Sequence, residues 1–120
     1  MVRRAGVACV LAVLLGAAGA AGHAFLARAE PRVGSTVRTP PTQVKLWFTE
    51  RLEPAFSRVQ VVDEAGRRVD RADAAVDPEN QALLRVSLGE LAPGGYRVIW
   101  RVVSVDTHVT EGAFTFKVAP

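Results

Sequence analysis

The sequence predicts an all-β protein, a small antiparallel sandwich or barrel made of one domain. Short runs with apolar residues at every second position recur along the chain, and this is the pattern of half-buried strands. Turn-forming residues separate these runs at intervals of roughly ten residues, as in small sandwiches. No long helical period follows the N-terminal stretch.

Five runs carry the strand pattern, each bounded by turn chemistry. They cover residues 44–48, 58–62, 83–88, 96–105 and 112–118. Prolines precede the first run, and Glu64-Ala65-Gly66 and Pro93-Gly94-Gly95 predict turns later in the chain. The glycine in Glu111-Gly112 predicts a break before the last strand. We also expect residues 24–30 to add a strand, and residues 67–76 to hold at most a short one.

The first 22 residues have the pattern of a cleaved secretory signal peptide. Arg3 and Arg4 are followed by an apolar core at 6–16 and by Ala and Gly alone at 17–22. The apolar core is too short to span a bilayer as a stable helix, although an uncleaved anchor is the alternative. We therefore expect a signal peptide at 1–22, a domain at 23–120, a periplasmic or secreted protein, and no membrane insertion after cleavage.

Signal removal changes the composition of the chain. Cys9 and Met1 are the only sulfur-containing residues, and both leave, so neither a disulfide nor a sulfur ligand remains. Loss of Arg3 and Arg4 from the 15 basic residues leaves 13 against 12 acidic ones. Because no basic cluster stands out in the sequence, we expect no nucleic-acid partner.

The two histidines predict a metal site. Cleavage before His23 would give that residue a free α-amine beside its imidazole, hence two nitrogen ligands. In an extended backbone Asp106 and His108 would point the same way. Nitrogen and oxygen donors without sulfur suit Cu(II) in a tetragonal site. The alternative interpretations are a frayed terminus for His23 and an exposed polar loop for the other two residues.

Glu50 is the fourth candidate. It follows the run that ends in Phe48. A carboxylate there could accept a hydrogen bond from a metal-bound histidine or water, or act as a weak axial ligand. Its alternative is a surface acid paired with Arg51 or Arg58.

Several segments together resemble the CopC family of periplasmic copper-binding proteins, over almost the whole chain after the signal peptide. The segments are His23-Ala24, Val44-Lys45-Leu46-Trp47-Phe48-Thr49-Glu50, the strand from Gly95 to Ser104 with Tyr96 and Trp100-Arg101, and Asp106-Thr107-His108 followed by Gly112 and Phe114-Thr115-Phe116. Each segment is weak alone, but their order and spacing make a specific pattern.

The resemblance implies a seven-stranded Greek-key β-barrel or a cupredoxin-like, Ig-like sandwich. It implies one Cu(II) per chain, held by the amine and imidazole of His23, by His108 and by Asp106, with Glu50 close to the copper. It also implies a role in copper tolerance or uptake, beside a CopD-like inner-membrane copper transporter. Some family members have a Met-rich Cu(I) site, but no Met survives cleavage here, so we expect none.

The cleavage position decides which residues are available as ligands. Cleavage after Ala20 would leave Ala21-Gly22-His23, which could wrap Cu(II) alone, and cleavage after Ala24 would discard His23. We expect cleavage before His23. The predicted function is then an exported Cu(II) carrier or buffer, not an enzyme. The alternatives are a small copper enzyme of the histidine-brace type acting on an oxidisable substrate, and an adhesive β-sandwich without metal.

Overall fold

Two four-stranded β-sheets pack face to face in the computed structural model, which describes residues 23–120. The predicted signal peptide, residues 1–22, lies outside the described residues. One sheet has the strand order β1-β3-β6-β5 and the other β2-β8-β7-β4. The strands are β1 (Leu26–Glu30), β2 (Thr36–Val37), β3 (Gln43–Phe48), β4 (Arg58–Asp63), β5 (Ala75–Val76), β6 (Leu83–Ser87), β7 (Gly94–Val103) and β8 (Val109–Val118).

The all-β sandwich prediction is confirmed. All five predicted runs form strands, and the two uncertain segments contribute β1 and β5. The described residues hold eight strands rather than the seven that the resemblance implies. The strand outside every predicted segment is β2, an edge strand of two residues that is too short to show a periodic pattern. The only helical element among residues 23–120 is a single 3-10 turn, Pro54–Phe56. No helix in this part of the chain is long and apolar enough to cross a membrane.

The longest pairing in the fold is the hairpin of β7 and β8. It runs without interruption from Gly94 opposite Val118 to Val103 opposite Val109. The predicted break at Glu111-Gly112 is therefore wrong: β8 passes straight through Gly112, which lies opposite Trp100. The glycine serves to make room for the indole rather than to turn the chain.

The core lies between the two sheets and follows the predicted alternation. Inward-facing apolar side chains are buried, and their outward neighbours are mostly exposed. Removing this apolar surface from water is the main stabilising term for the fold. The largest fully buried apolar side chains are Phe116, Leu46, Leu52, Leu84, Val44, Val61, Val86, Val98 and Val102.

One buried carboxylate joins the second sheet to the connection after β4. The Asp70 side chain has no exposed surface and accepts hydrogen bonds from the Val61 and Ala72 amides at 2.8 and 2.9 Å. The Arg68 guanidinium completes the set, with its Nη2 at 2.7 Å from Asp70 Oδ1. Burial alone would raise the pKa of Asp70, but the hydrogen bonds from Arg68 and the two amides outweigh burial and hold that pKa below its ordinary value.

We expect Asp70→Asn to lower the free energy of unfolding by about 2 kcal/mol at pH 7, because it removes a charge-assisted hydrogen-bond acceptor from a buried position. A carboxyl with a depressed folded pKa stabilises the protein above its unfolded pKa of about 3.9, and the stabilisation is lost as the pH falls through the folded value. Urea unfolding at pH 7 and in acid measures this. The difference from the parent should shrink in acid, whereas Glu79→Gln, a change at an exposed acid, should have little effect at either pH.

Candidate metal centre

The turn between β7 and β8 holds two of the predicted ligands. The Ser104 amide donates to the His108 carbonyl at 2.9 Å, and the Thr107 amide donates to the Ser104 carbonyl at 2.8 Å. Thr107 has a φ of 74°, a left-handed conformation that is unusual for a β-branched residue. The expectation that Asp106 and His108 lie on extended backbone is therefore wrong, since a tight turn holds them.

The same turn brings Asp106 and His108 into direct contact. Asp106 Oδ1 lies 3.2 Å from His108 Nδ1, and it also accepts a hydrogen bond from the Ser104 hydroxyl. The hydrogen bond from Ser104, and then that from His108, lowers the pKa of Asp106 below its ordinary value. Both the Asp106 and the His108 side chains remain about half exposed. The carboxylate thus stays ionised in mild acid and is accessible from solvent.

His23 reaches this turn because the segment before β1 is fastened on both sides. The Ala24 side chain is fully buried, and its carbonyl accepts a 2.8 Å hydrogen bond from Thr110 Oγ1. On the other side, Thr49 Oγ1 donates to the His23 carbonyl at 3.4 Å and accepts from the Phe25 amide at 2.9 Å. The His23 and His108 ring centroids are consequently 4.9 Å apart. The structure thus brings together the three residues His23, Asp106 and His108.

The His23, Asp106 and His108 side chains contact each other in pairs and are not arranged around a common metal position. Within residues 23–120, no group of three or more His, Cys, Asp or Glu side chains is arranged so that it could hold a metal ion. The Asp106 carboxylate and the His108 ring contact each other at 3.2 Å, so coordination of one ion by all three side chains requires these side chains to rotate.

Glu50 occupies an exposed position one residue after Thr49. In the described part of the chain its carboxylate makes no hydrogen bond or ion pair, so neither Arg51 nor Arg58 pairs with it. Its place beside the metal stays a prediction.

Trp100 and Phe48 form the apolar layer beneath this end of the sandwich. Their rings make an edge-to-face contact, with centroids 5.1 Å apart. The Trp100 indole is buried, and its Nε1 has no hydrogen-bond partner in the described structure. Gly112 lies so close that a Cβ built on it would stand 2.3 Å from Trp100 Cζ2. The position of β8 near the turn is therefore set by contact between a glycine and an indole.

Sequence reasoning missed the three hydroxyl residues that position the site. Ser104, Thr49 and Thr110 each use the side-chain oxygen to fasten either the turn or the segment around His23. The available signal was their placement at the ends of β-rich runs, where a short hydroxyl side chain commonly bonds nearby backbone groups. The partners of Thr49 and Thr110 lie 24 or more residues away, so the pattern alone could not name them, whereas Ser104 bonds Asp106 within the same turn.

Comparison with known proteins gives a consistent result. The family model described as the CopC domain matches residues 26–119. The chain is 32% identical over 115 residues to Copper resistance protein C of Xanthomonas campestris pv. juglandis, covering 91% of this chain and 90% of that protein. It is 35% identical over 97 residues to Protein YobA of Escherichia coli K12, covering 80% and 78% of the two chains.

Solved structures agree with this comparison. CopC from Methylosinus trichosporium OB3b superposes with a TM-score of 0.76 at 37% identity, covering 82% of this chain and 95% of that one. PcoC, a methionine-rich copper resistance protein from Escherichia coli, superposes with a TM-score of 0.67 at 32% identity, covering 80% and 98%. The family match, the sequence identities and the shared sandwich together show that the chain belongs to the CopC family.

Proposed function

We propose that this protein is an exported copper-binding protein that carries or buffers Cu(II) in copper tolerance or uptake, with one ion per chain. The observation that carries the proposal is the 4.9 Å contact between the His23 and His108 rings, two residues 85 positions apart in sequence that are the only histidines of the chain. Two of its relatives, Copper resistance protein C and PcoC, are named as copper resistance proteins, which supports the choice of metal.

In the proposed site the amine and imidazole of His23, the His108 imidazole and the Asp106 carboxylate bind Cu(II). Donors about 2 Å from one metal and at right angles to each other lie about 3 Å apart. The 3.2 Å separation between Asp106 Oδ1 and His108 Nδ1 is close to this spacing. A copper ion would replace the proton that these two atoms share in the metal-free protein, as ligand deprotonation requires. The Asp106 charge offsets part of the charge of the dication.

Glu50 is proposed as an outer residue that accepts a hydrogen bond from a ligand or from bound water. The described residues contain no Met and no Cys, which supports a nitrogen and oxygen site and gives no basis for a Met-rich Cu(I) site. We place the protein in the periplasm after removal of residues 1–22, with a CopD-like inner-membrane copper transporter as a candidate partner. We propose a binding role rather than catalysis, and a histidine-brace enzyme would differ by producing peroxide readily from ascorbate and oxygen.

The test compares two forms of the protein, one beginning at His23 and one beginning at Ala21. With one equivalent of Cu(II), electron paramagnetic resonance of the His23 form should show about three nitrogen ligands, and His108→Ala should reduce that number. In the Ala21 form the N-terminal tripeptide should take the ion by itself, so His108→Ala should leave the spectrum unchanged. Intact-mass measurement of the exported protein then identifies the natural first residue. An exported mass matching an Ala21 start would overturn the proposed site.

A further inference from the structure

The outer face of the second sheet carries a cluster of arginines that come from separate segments of the sequence. Arg58, Arg68, Arg97 and Arg101 line one open groove of about 740 Å³. They come from β4, from the connection after it and from β7, and they meet because β4 pairs with β7. We call these four residues the arginine face. Residues 23–120 carry nearly balanced charge, so the cluster is a local concentration rather than a reflection of composition.

The four guanidinium groups differ in how they are compensated. Arg68 is held by the buried Asp70, and Arg101 Nε lies 3.1 Å from Glu111 Oε1 in an exposed ion pair. Arg58 and Arg97 form no ion pair with any residue in the described part of the chain. Arg58 also lies directly opposite Arg101 in the ladder, and like charges at opposed positions destabilise a sheet. An anionic ligand would relieve that repulsion.

The spacing of the charges favours an extended ligand over a small ion. Arg97 and Arg101 are four residues apart on one strand, which separates their Cα atoms by about 13 Å. The floor between them is Ile99 and, on the neighbouring strand, Ala113. A ligand that contacts both Arg97 and Arg101 must therefore carry well-separated negative charges and lie across the small apolar patch between them. An extended polypeptide with carboxylates at alternate positions has this form, because its side chains alternate with the same period as the sheet.

A nucleic acid fits the groove less well. Single-stranded nucleic acids are bound by exposed aromatic side chains on which the bases stack. The aromatic residue that lines this groove, Trp100, is buried and packs against Phe48 instead. The ion pair between Glu111 and Arg101 shows that the arginine face can bind a carboxylate. The Glu111 carboxylate occupies the place where a ligand carboxylate would bind.

We propose that the arginine face is a docking surface for an acidic, extended segment of a partner protein. Arg58 and Arg97 contribute the uncompensated charge, and Arg101 becomes available when the incoming carboxylate displaces Glu111. This inference is independent of copper, because none of these residues is among the proposed metal ligands.

The probe is a labelled peptide of about eight residues, enough to span the groove, with glutamate at alternate positions. We expect fluorescence anisotropy at low salt to show binding that weakens steeply with ionic strength. Arg58→Gln combined with Arg97→Gln should weaken binding at least about tenfold, and Glu111→Gln should strengthen it. The matched control is Arg32→Gln with Arg38→Gln, which removes the same charge from exposed positions outside the groove and should leave binding within about twofold.

The proposal would be overturned by equal binding of the same peptide with glutamine in place of glutamate, by equal loss in the control pair, by tighter binding of a single-stranded oligonucleotide, or by full competition by millimolar inorganic phosphate. Self-association of the protein that disappears in the Arg58/Arg97 variant would also count against it, since a second copy would then occupy the face. Unfolding curves matching the parent would show that the variants remain folded.

Discussion

His108→Ala is expected to weaken Cu(II) binding at least about 100-fold, or about 2.7 kcal/mol. The substitution deletes one of the two imidazoles that the fold brings within 4.9 Å of each other, and it leaves the N-terminal chelate without a distant ligand. The loss should not reflect misfolding, because the His108 side chain is half exposed and lies outside the core. Competition against a chelator of known affinity, on protein beginning at His23, measures the effect.

A graded series gives this prediction its controls. Asp106→Asn should cost less than His108→Ala, because it keeps an oxygen but loses the charge, and Glu50→Gln should cost least, within the roughly 10–100-fold typical of groups that support ligands. Thr107→Gly changes the neighbouring residue of the same turn. It removes no proposed metal ligand and places glycine where the backbone is left-handed, so the Cu(II) affinity of this variant should match that of the parent. If His108→Ala binds copper as tightly as the parent, the turn is not the metal site.

Gly112→Ala is expected to lower the free energy of unfolding by about 3 kcal/mol, a large effect for one methyl group. The new Cβ would stand 2.3, 2.7 and 2.9 Å from three atoms of the Trp100 ring. The indole cannot move away from the new methyl group without losing its packing, since it is buried against Phe48 between the sheets. Either the ring leaves its packed position or β8 separates from β7. Chemical denaturation followed by tryptophan fluorescence and by circular dichroism measures the loss.

Two variants isolate the cause. Gly95→Ala alters another glycine of the same hairpin, where the nearest atoms, at 3.3 to 3.5 Å, belong to the flexible Glu64 side chain, so it should be nearly neutral. In a Trp100→Phe background the smaller ring leaves space, and the cost of Gly112→Ala should fall by more than about 1 kcal/mol as a coupling energy. Additive costs would mean that the methyl group acts through something other than the indole.

The strands were predictable because their cause is local. An alternating apolar pattern indicates a strand wherever one face of that strand is buried. The structure buries the alternating residues of β3 and β8, namely Val44, Leu46, Phe48, Phe114, Phe116 and Val118. The prediction for Gly112 was wrong because glycine occurs both where a strand ends and where a strand passes close to a large ring. The local sequence pattern does not distinguish these two cases. The distinction lies in Trp100, which is twelve residues earlier and directly opposite in the ladder.

The proximity of His23, Asp106 and His108 was predictable from the sequence, the geometry of the turn was not, and metal binding by these residues stays a prediction. His23 and His108 were singled out by position, one after the signal-like segment and one near the end of a long strand. The turn that holds Asp106 and His108 depends on a left-handed backbone at Thr107. The conformational preference of a β-branched residue is for extended backbone, so the sequence does not predict this turn. The arginine face was visible only in part, since the alternation places Arg97 and Arg101 on one face of a strand but the β4–β7 register is needed to place Arg58 opposite Arg101.

The β7–β8 hairpin also separates the two ends of the molecule. His23 lies beside the tip of the hairpin, whereas β8 runs nine residues further to Val118, about 30 Å away at the spacing of an extended strand. A surface linkage, reporter fusion or purification handle attached after Pro120 would therefore leave the histidine end facing solution. The same attachment before His23 would block the amine that we propose as a ligand, so electrodes or sensor chips built from this protein should be coupled at the β8 end.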